Sequence, residues 1–309
     1  MKTLNRGLLY MGTPPASFVS QKAVNGAVVQ VNWSDVHTAT STFNRSVVDS
    51  AIAYSMSTGV SSVRLRIMGG QHAPEFVKQL SGGPLTLIQP SGTGNPNPGA
   101  SFTVPKWWTS DVYNEKAELL TQLASWYESD SRVLDVTFGV GVTTEFDEWP
   151  IRQWGPNAKA YEAAGYAVGL DEQAILTEVN LYHSLFKETR IYYADSLWFD
   201  GGGVINPTFT QQVITNSRTY GNAIHGTNNL DGDWLPVTPT ASYILTNKLN
   251  PISFQCQPAS NASNTKLGIQ QAITNGANAI EMQGQGSITS GNMTVDDWVT
   301  LNAELIKNP

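Results

Sequence analysis

Short apolar runs alternating with longer amphipathic stretches predict an α/β chain, and eight such runs predict a single (β/α)8 barrel domain over residues 1–309. Two further observations support this class. The chain has no repeat of fixed period and no low-complexity linker to divide it. Its strand-like runs also separate an apolar from a polar face at alternate positions, as a strand flanked by helices on one side requires.

The expected strands are "AVVQVNW" near Ala27 to Trp33, "SVRLRIM" near Ser62 to Met68, "LTLI" near Leu85 to Ile88, and "VLDVTFGVGV" from Val133. "RIYYAD" from Arg190, "NAIHGTN" from Asn222, "ISFQCQ" from Ile252 and "AIEMQ" from Ala279 complete them. Between them "TFNRSVVDSAIAYSMSTG" reads as a helix with a Thr N-cap and a Gly stop, and "TSDVYNEKAELLTQLASWYESD" carries apolar residues at helical spacing. "DEQAILTEVNLYHSLFKET", "PTFTQQVITNSRTYG", "TASYILTNKLN", "TKLGIQQAITNGA" and "TVDDWVTLNAELIKN" supply the remaining helices. "SGTGNPNPGAS", after the third run, reads as a loop or hairpin turn.

Parity sharpens the reading. Val63, Leu65 and Ile67 share one face, and Arg64 and Arg66 the other; Ile280 and Met282 oppose Glu281. Helices cover the outside of a barrel, so Arg64, Arg66, Gln30, Asn32, Gln255 and Glu281 are expected inside it. Buried charges of this kind must be paired, which makes Glu281 the expected counter-ion of an arginine. That contact is either purely structural or, near the barrel's top, a way of holding a catalytic carboxylate ionised.

Composition narrows the function classes. With net charge −7 and 18 Lys plus Arg spread without runs, the chain lacks the clustered cations of a nucleic-acid surface. Cys256 is the only cysteine, so neither an internal disulfide nor a cysteine metal site forms. His37, His72, His183 and His225 show no metal-binding spacing, no phosphate loop or nucleophile elbow occurs, and no metal or other cofactor is expected. No run is long and apolar enough to span a membrane. The composition, poor in Lys and rich in Asn, Gln, Ser and Thr, leans towards a secreted or virion protein.

Against only 14% charged residues, "TTEFDEWP" gathers Glu145, Asp147 and Glu148 beside Trp149 directly after a strand. It is either a solvated turn or a catalytic segment. Glycoside hydrolysis needs one protonated and one ionised carboxyl, with environments that split their pKa values. Trp149 supplies an apolar neighbour that raises an acid's pKa. Aromatic faces suit pyranose rings, and of nine Trp, Trp33, Trp107, Trp108, Trp149, Trp154, Trp198 and Trp234 fall at strand ends or in loops. Trp126 and Trp298 sit in helical patterns and read as core. His37 and His72 follow the first two strands and line the expected pocket, while Asn228, Asn229, Gln255 and Gln257 offer amides to sugar hydroxyls.

The order of "SVRLRI", a long helix ending in "SWYESDSRVLDVTF", and "FDEWP" resembles the clan A glycoside hydrolases, TIM barrels that include cellulases and β-galactosidases. The resemblance implies an acid/base Glu closing the fourth strand, for which Glu148 is the match and Glu145 the rival. It also implies a nucleophilic Glu ending the seventh strand, where this chain has Gln255 and Gln257; the nearest inward acid is Glu281. Three alternatives follow: a strand count off by one, an unusual site, or a barrel that binds sugar without cleaving it. The expected site therefore comprises Glu148, Glu281 and Glu145 as catalytic acids, with Trp33, His37, Arg66, His72, Trp108, Trp149, Asn228, Gln255 and Gln257 around a carbohydrate.

Overall fold

The computed structural model describes residues 1–88, 99–139, 157–195, 203–228, 230–232, 238–247, 249–257, 264–284 and 293–308. Eight parallel strands close into a barrel in sequential order: β1 (Gly7–Met11), β2 (Gly26–Asn32), β3 (Ser62–Met68), β4 (Val133–Thr137), β5 (Arg190–Ala194), β6 (Ala223–Gly226), β7 (Ile252–Gln255) and β8 (Ala277–Met282). β8 pairs back onto β1 in the register Leu9 to Glu281.

The strand count differs from expectation at two places. "LTLI" is not in the barrel: Leu85–Ile88 pairs antiparallel with Ser101–Val104 as a separate hairpin. Its place is taken by Gly7–Met11, a five-residue run too short to stand out in the sequence, so "SVRLRIM" is the third strand. The two errors cancel from the fourth strand onward. "ISFQ" is therefore the seventh strand and Glu281 lies on the eighth, which removes a miscount as the explanation for Gln255.

Alternation along the strands is observed as expected. Val63, Leu65 and Ile67 pack with Val48 and Ile52 of the helix Arg45–Met56 and with Leu119, Leu120 and Leu123 of Ser110–Tyr127. On the opposite side of the barrel Ile252, Phe254, Cys256, Ile280 and Met282 pack against Ile269, Trp298, Leu301 and Leu305. Burying each large apolar side chain contributes about 1.5–3 kcal/mol, so these two outer layers supply the main driving force for closure. Trp298 is fully buried as expected, and Trp126 packs against the core from a helix.

Helix ends follow local chemistry. Thr294 and Asp297 form a capping box at the start of Val295–Lys307, and Asn206 and Asn264 cap Pro207–Arg218 and Thr265–Thr274. The expected Thr cap on the first long helix is not used; that helix starts after Asn44, without a side-chain cap. At the end of β6, Gly226 is dictated by packing. A Cβ there would lie 1.4 Å from the Ser253 carbonyl oxygen of β7, so only glycine lets the strands approach. Among the described residues, no helix is long and apolar enough to cross a membrane.

Candidate functional site

The barrel interior holds a charge-balanced cluster built from three strands. Arg64 on β3 donates from Nε to Asp135 on β4 at 2.6 Å and from Nη1 to Glu281 on β8 at 2.8 Å. Arg66, two residues closer to the C-terminal end, donates from Nη2 to both Glu281 oxygens, at 2.8 and 2.6 Å. Arg64 also donates to the Ser253 hydroxyl at 3.2 Å and lies 3.7 Å from the centre of the Tyr192 ring. Two guanidinium groups face two carboxylates, and all four side chains are buried.

Electrostatics fixes the state of this cluster. Burial alone would raise the Glu281 pKa, but the charges of Arg66 and Arg64, with their hydrogen bonds, outweigh it and hold the carboxyl below its ordinary range. Burial likewise opposes the charge on Arg64, and Asp135 and Glu281 more than restore it. Glu281 is thus an ionised carboxylate. The same arginines share its charge.

Around the cluster the inner face is polar towards the strands' C-terminal ends. Gln30 is the register neighbour of Arg66, and Gln255 that of Glu281. Gln255 is buried; Gln257 and Gln283 are partly exposed beyond it, and Asn228 is buried after β6. The structure therefore brings together Arg66, Gln255 and Glu281 of the expected site. Glu145, Glu148 and Trp149 lie outside the described residues, as do Trp154, Trp198, Asn229 and Trp234.

Three expected binding residues belong elsewhere. Trp33 opens the short helix Trp33–Val36 and is buried with Val29 and Val31 in the outer core, so its ring packs there and not against a sugar. Trp108 is buried in a satellite cluster with Trp107, Tyr161 and Leu87, beside the Leu85–Ile88 hairpin. His37 is buried too, stacked 4.3 Å from the Phe43 ring. These corrections share one cause: each residue lies in a segment that follows a strand and packs into a core of its own, so proximity to a strand end does not turn it towards the barrel mouth. His72 is half-buried in the short turn after β3, its pKa lowered by burial and by Lys78.

His37 raises the question of a metal. Its Nε2 lies 3.5 Å from Glu115 and 4.0 Å from Glu118, and the three ligand atoms fall within 4.8 Å of one another. The tautomer argues against coordination. Trp33 Nε1, which can only donate, bonds His37 Nδ1 at 3.2 Å, so the neutral ring carries its proton on Nε2. Metal-bound histidines have the reverse arrangement, a free Nε2 lone pair and a donating Nδ1. Burial keeps His37 neutral by lowering its pKa.

Sequence reasoning missed the satellite's own buried acid. Asp171 accepts from Trp107 Nε1 and from the Tyr166 hydroxyl, each at 2.8 Å, and burial pushes its pKa up to about 6. It stands in the first turn of the helix Val168–Leu185, where an acid reads as an ordinary first-turn residue.

In fold, the chain is similar to the catalytic domain of a beta-amylase from Paenibacillus polymyxa. The TM-score is 0.56 at 10% sequence identity, over 97% of this chain and 98% of that one. It is also similar to a beta-galactosidase from the psychrophilic Marinomonas ef1 (TM-score 0.54, 10% identity, 97% of this chain and 62% of that one). An endo-glycoceramidase II from Rhodococcus sp. aligns over 91% of this chain and 74% of that one, with TM-score 0.51 and 11% identity. At these identities the likeness is one of fold alone, carried by the closed eight-stranded parallel barrel. No protein-family model matches the chain, and no curated protein matches it in sequence.

Proposed function

We propose that the chain is a glycoside hydrolase that takes a β-linked oligo- or polysaccharide at the C-terminal mouth of the barrel. The observation that carries this reading is Glu281, a carboxylate kept ionised by Arg64 and Arg66 on the inner face of β8, one residue before that strand ends. An ionised carboxylate in this position serves an oxocarbenium-like transition state, as nucleophile or as electrostatic partner. The protonated partner is assigned to the acidic segment after β4, with Glu148 first and Glu145 as its rival. Arg66 positions Glu281, and Gln255, Gln257 and Asn228 are assigned to the sugar hydroxyls.

The test is hydrolysis of a broad panel of β-linked glycosides by the wild type and by Glu148→Gln. Gln keeps the shape of Glu but delivers no proton, so the rate is expected to fall by about 10²–10⁴ with sugar affinity and fold retained. A second reading, a sugar-binding barrel without turnover, is favoured by Gln255 at the end of β7 and by the full burial of Glu281. Binding of a glycan with no hydrolysis across the panel would establish that reading in place of the first.

A further inference from the structure

Among the described residues, the inner face carries two buried amide atoms without a hydrogen-bond partner: Gln30 Nε2 and Gln255 Oε1. Their register neighbours, Arg66 and Glu281, both point into the barrel, so the two amides do as well. Gln255 is only 4% exposed. A buried amide atom left unpaired bears its full desolvation penalty, and native interiors keep few of them without a ligand or water to answer them. Here one is a donor and the other an acceptor. Hydroxyl groups satisfy both kinds, since each can donate to Gln255 Oε1 or accept from Gln30 Nε2.

The charges beside these amides are balanced within the protein, two guanidinium groups against two carboxylates. Arg64 is held by Asp135 and Glu281, and Arg66 by Glu281. A carboxylate or sulfate entering here would meet an ionised Glu281 and add a negative charge to a cluster already in balance. An uncharged hydroxylated guest meets none of these costs.

We propose that Gln30 and Gln255 are the recognition amides of the barrel mouth and that they select an uncharged glycan over one bearing carboxylate or sulfate groups. This rests on the glycoside reading above and adds to it a substrate class and a residue, Gln30, whose role no strand-end motif announces.

The experiment is calorimetric titration of the full chain with a neutral β-glucan hexasaccharide and with the same backbone oxidised to the uronate. Both are repeated with Gln30→Leu and Gln255→Leu, and with the unbranched Gln255→Met in case Leu disturbs packing. The neutral sugar is expected to bind more tightly, and each substitution to weaken it about threefold to tenfold, the worth of one hydrogen bond. The Tm should hold or rise, because each change deletes an unanswered polar atom. Equal or tighter binding of the uronate would overturn the inference while leaving the glycan reading intact. Unchanged affinity with a raised Tm would do the same, marking the amides as structural. If neither hexasaccharide nor any other member of a glycan panel binds, the glycan reading itself falls and this inference with it.

Discussion

Glu281 and Asp171 are both fully buried acids, and their pKa values move in opposite directions. Glu281 sits in the barrel among guanidinium groups and is held below its ordinary value. Asp171 sits in the satellite, where its partners are the neutral donors Trp107 and Tyr166, and it rises to about 6. Burial penalises both charges; the difference is whether a cation answers it. Two hydrogen bonds from neutral groups do not replace one well-placed arginine.

The largest expected effect comes from removing a cation. Arg64→Met leaves Asp135, and in part Glu281, as buried carboxylates without their main partner, a situation that costs about 3–5 kcal/mol. Urea denaturation of wild type and variant measures it. A loss below about 1 kcal/mol would mean that water reaches the cluster and that the barrel interior is not a low-dielectric site.

The acids then predict opposite slopes of stability with pH. Asp171 has a folded pKa of about 6 against an ordinary 3.8, so the fold binds its proton more tightly than the unfolded chain does. Its contribution is fully present below pH 3.8 and is lost as pH rises through about 6, a change of about 3 kcal/mol. Asp171→Asn removes that slope, because the amide oxygen still accepts from Trp107 and the amide nitrogen donates to the Tyr166 hydroxyl. Glu281 behaves in reverse: its contribution is present above its ordinary 4.5 and is lost as pH falls through its lowered folded value. Denaturation series from pH 3 to 8 on wild type, Asp171→Asn and Glu281→Gln separate the two. Parallel curves for wild type and Asp171→Asn would show that the satellite is open to solvent.

The contrast also explains what was legible in the sequence. Strand parity is a local property, so the inward set of Arg64, Arg66, Gln255 and Glu281 followed from alternation alone, and a buried arginine demanded an acid. The satellite was not legible, because Leu85–Ile88 carries the same short apolar signature as a barrel strand and only tertiary pairing distinguishes them. Asp171 gave no signal for the same reason: its neighbours Trp107 and Tyr166 meet it through packing of the hairpin and two helices. Trp33 and Trp108 were misread because a tryptophan near a strand end serves a core as readily as a sugar site.

Trp33 offers the smallest and most discriminating test. Its indole is buried among Val29, Val31 and Val36, and its N–H is bonded to His37, so its worth should lie in packing and one hydrogen bond. Trp33→Phe keeps an aromatic ring in the same outer layer but shortens it and leaves His37 Nδ1 without its donor. The net loss is expected to be about 1–3 kcal/mol, from a small cavity and one unanswered buried acceptor. His37 has a second course: with its donor gone, the ring is free to move its proton to Nδ1, and Nε2 then presents a lone pair towards Glu115 and Glu118. The variant should therefore be less stable than wild type and gain stability from added Zn²⁺, whereas wild type should not. Glycan affinity should be unchanged in both. A tenfold fall in that affinity at unchanged stability would place the indole in the mouth of the barrel and return Trp33 to the sugar site.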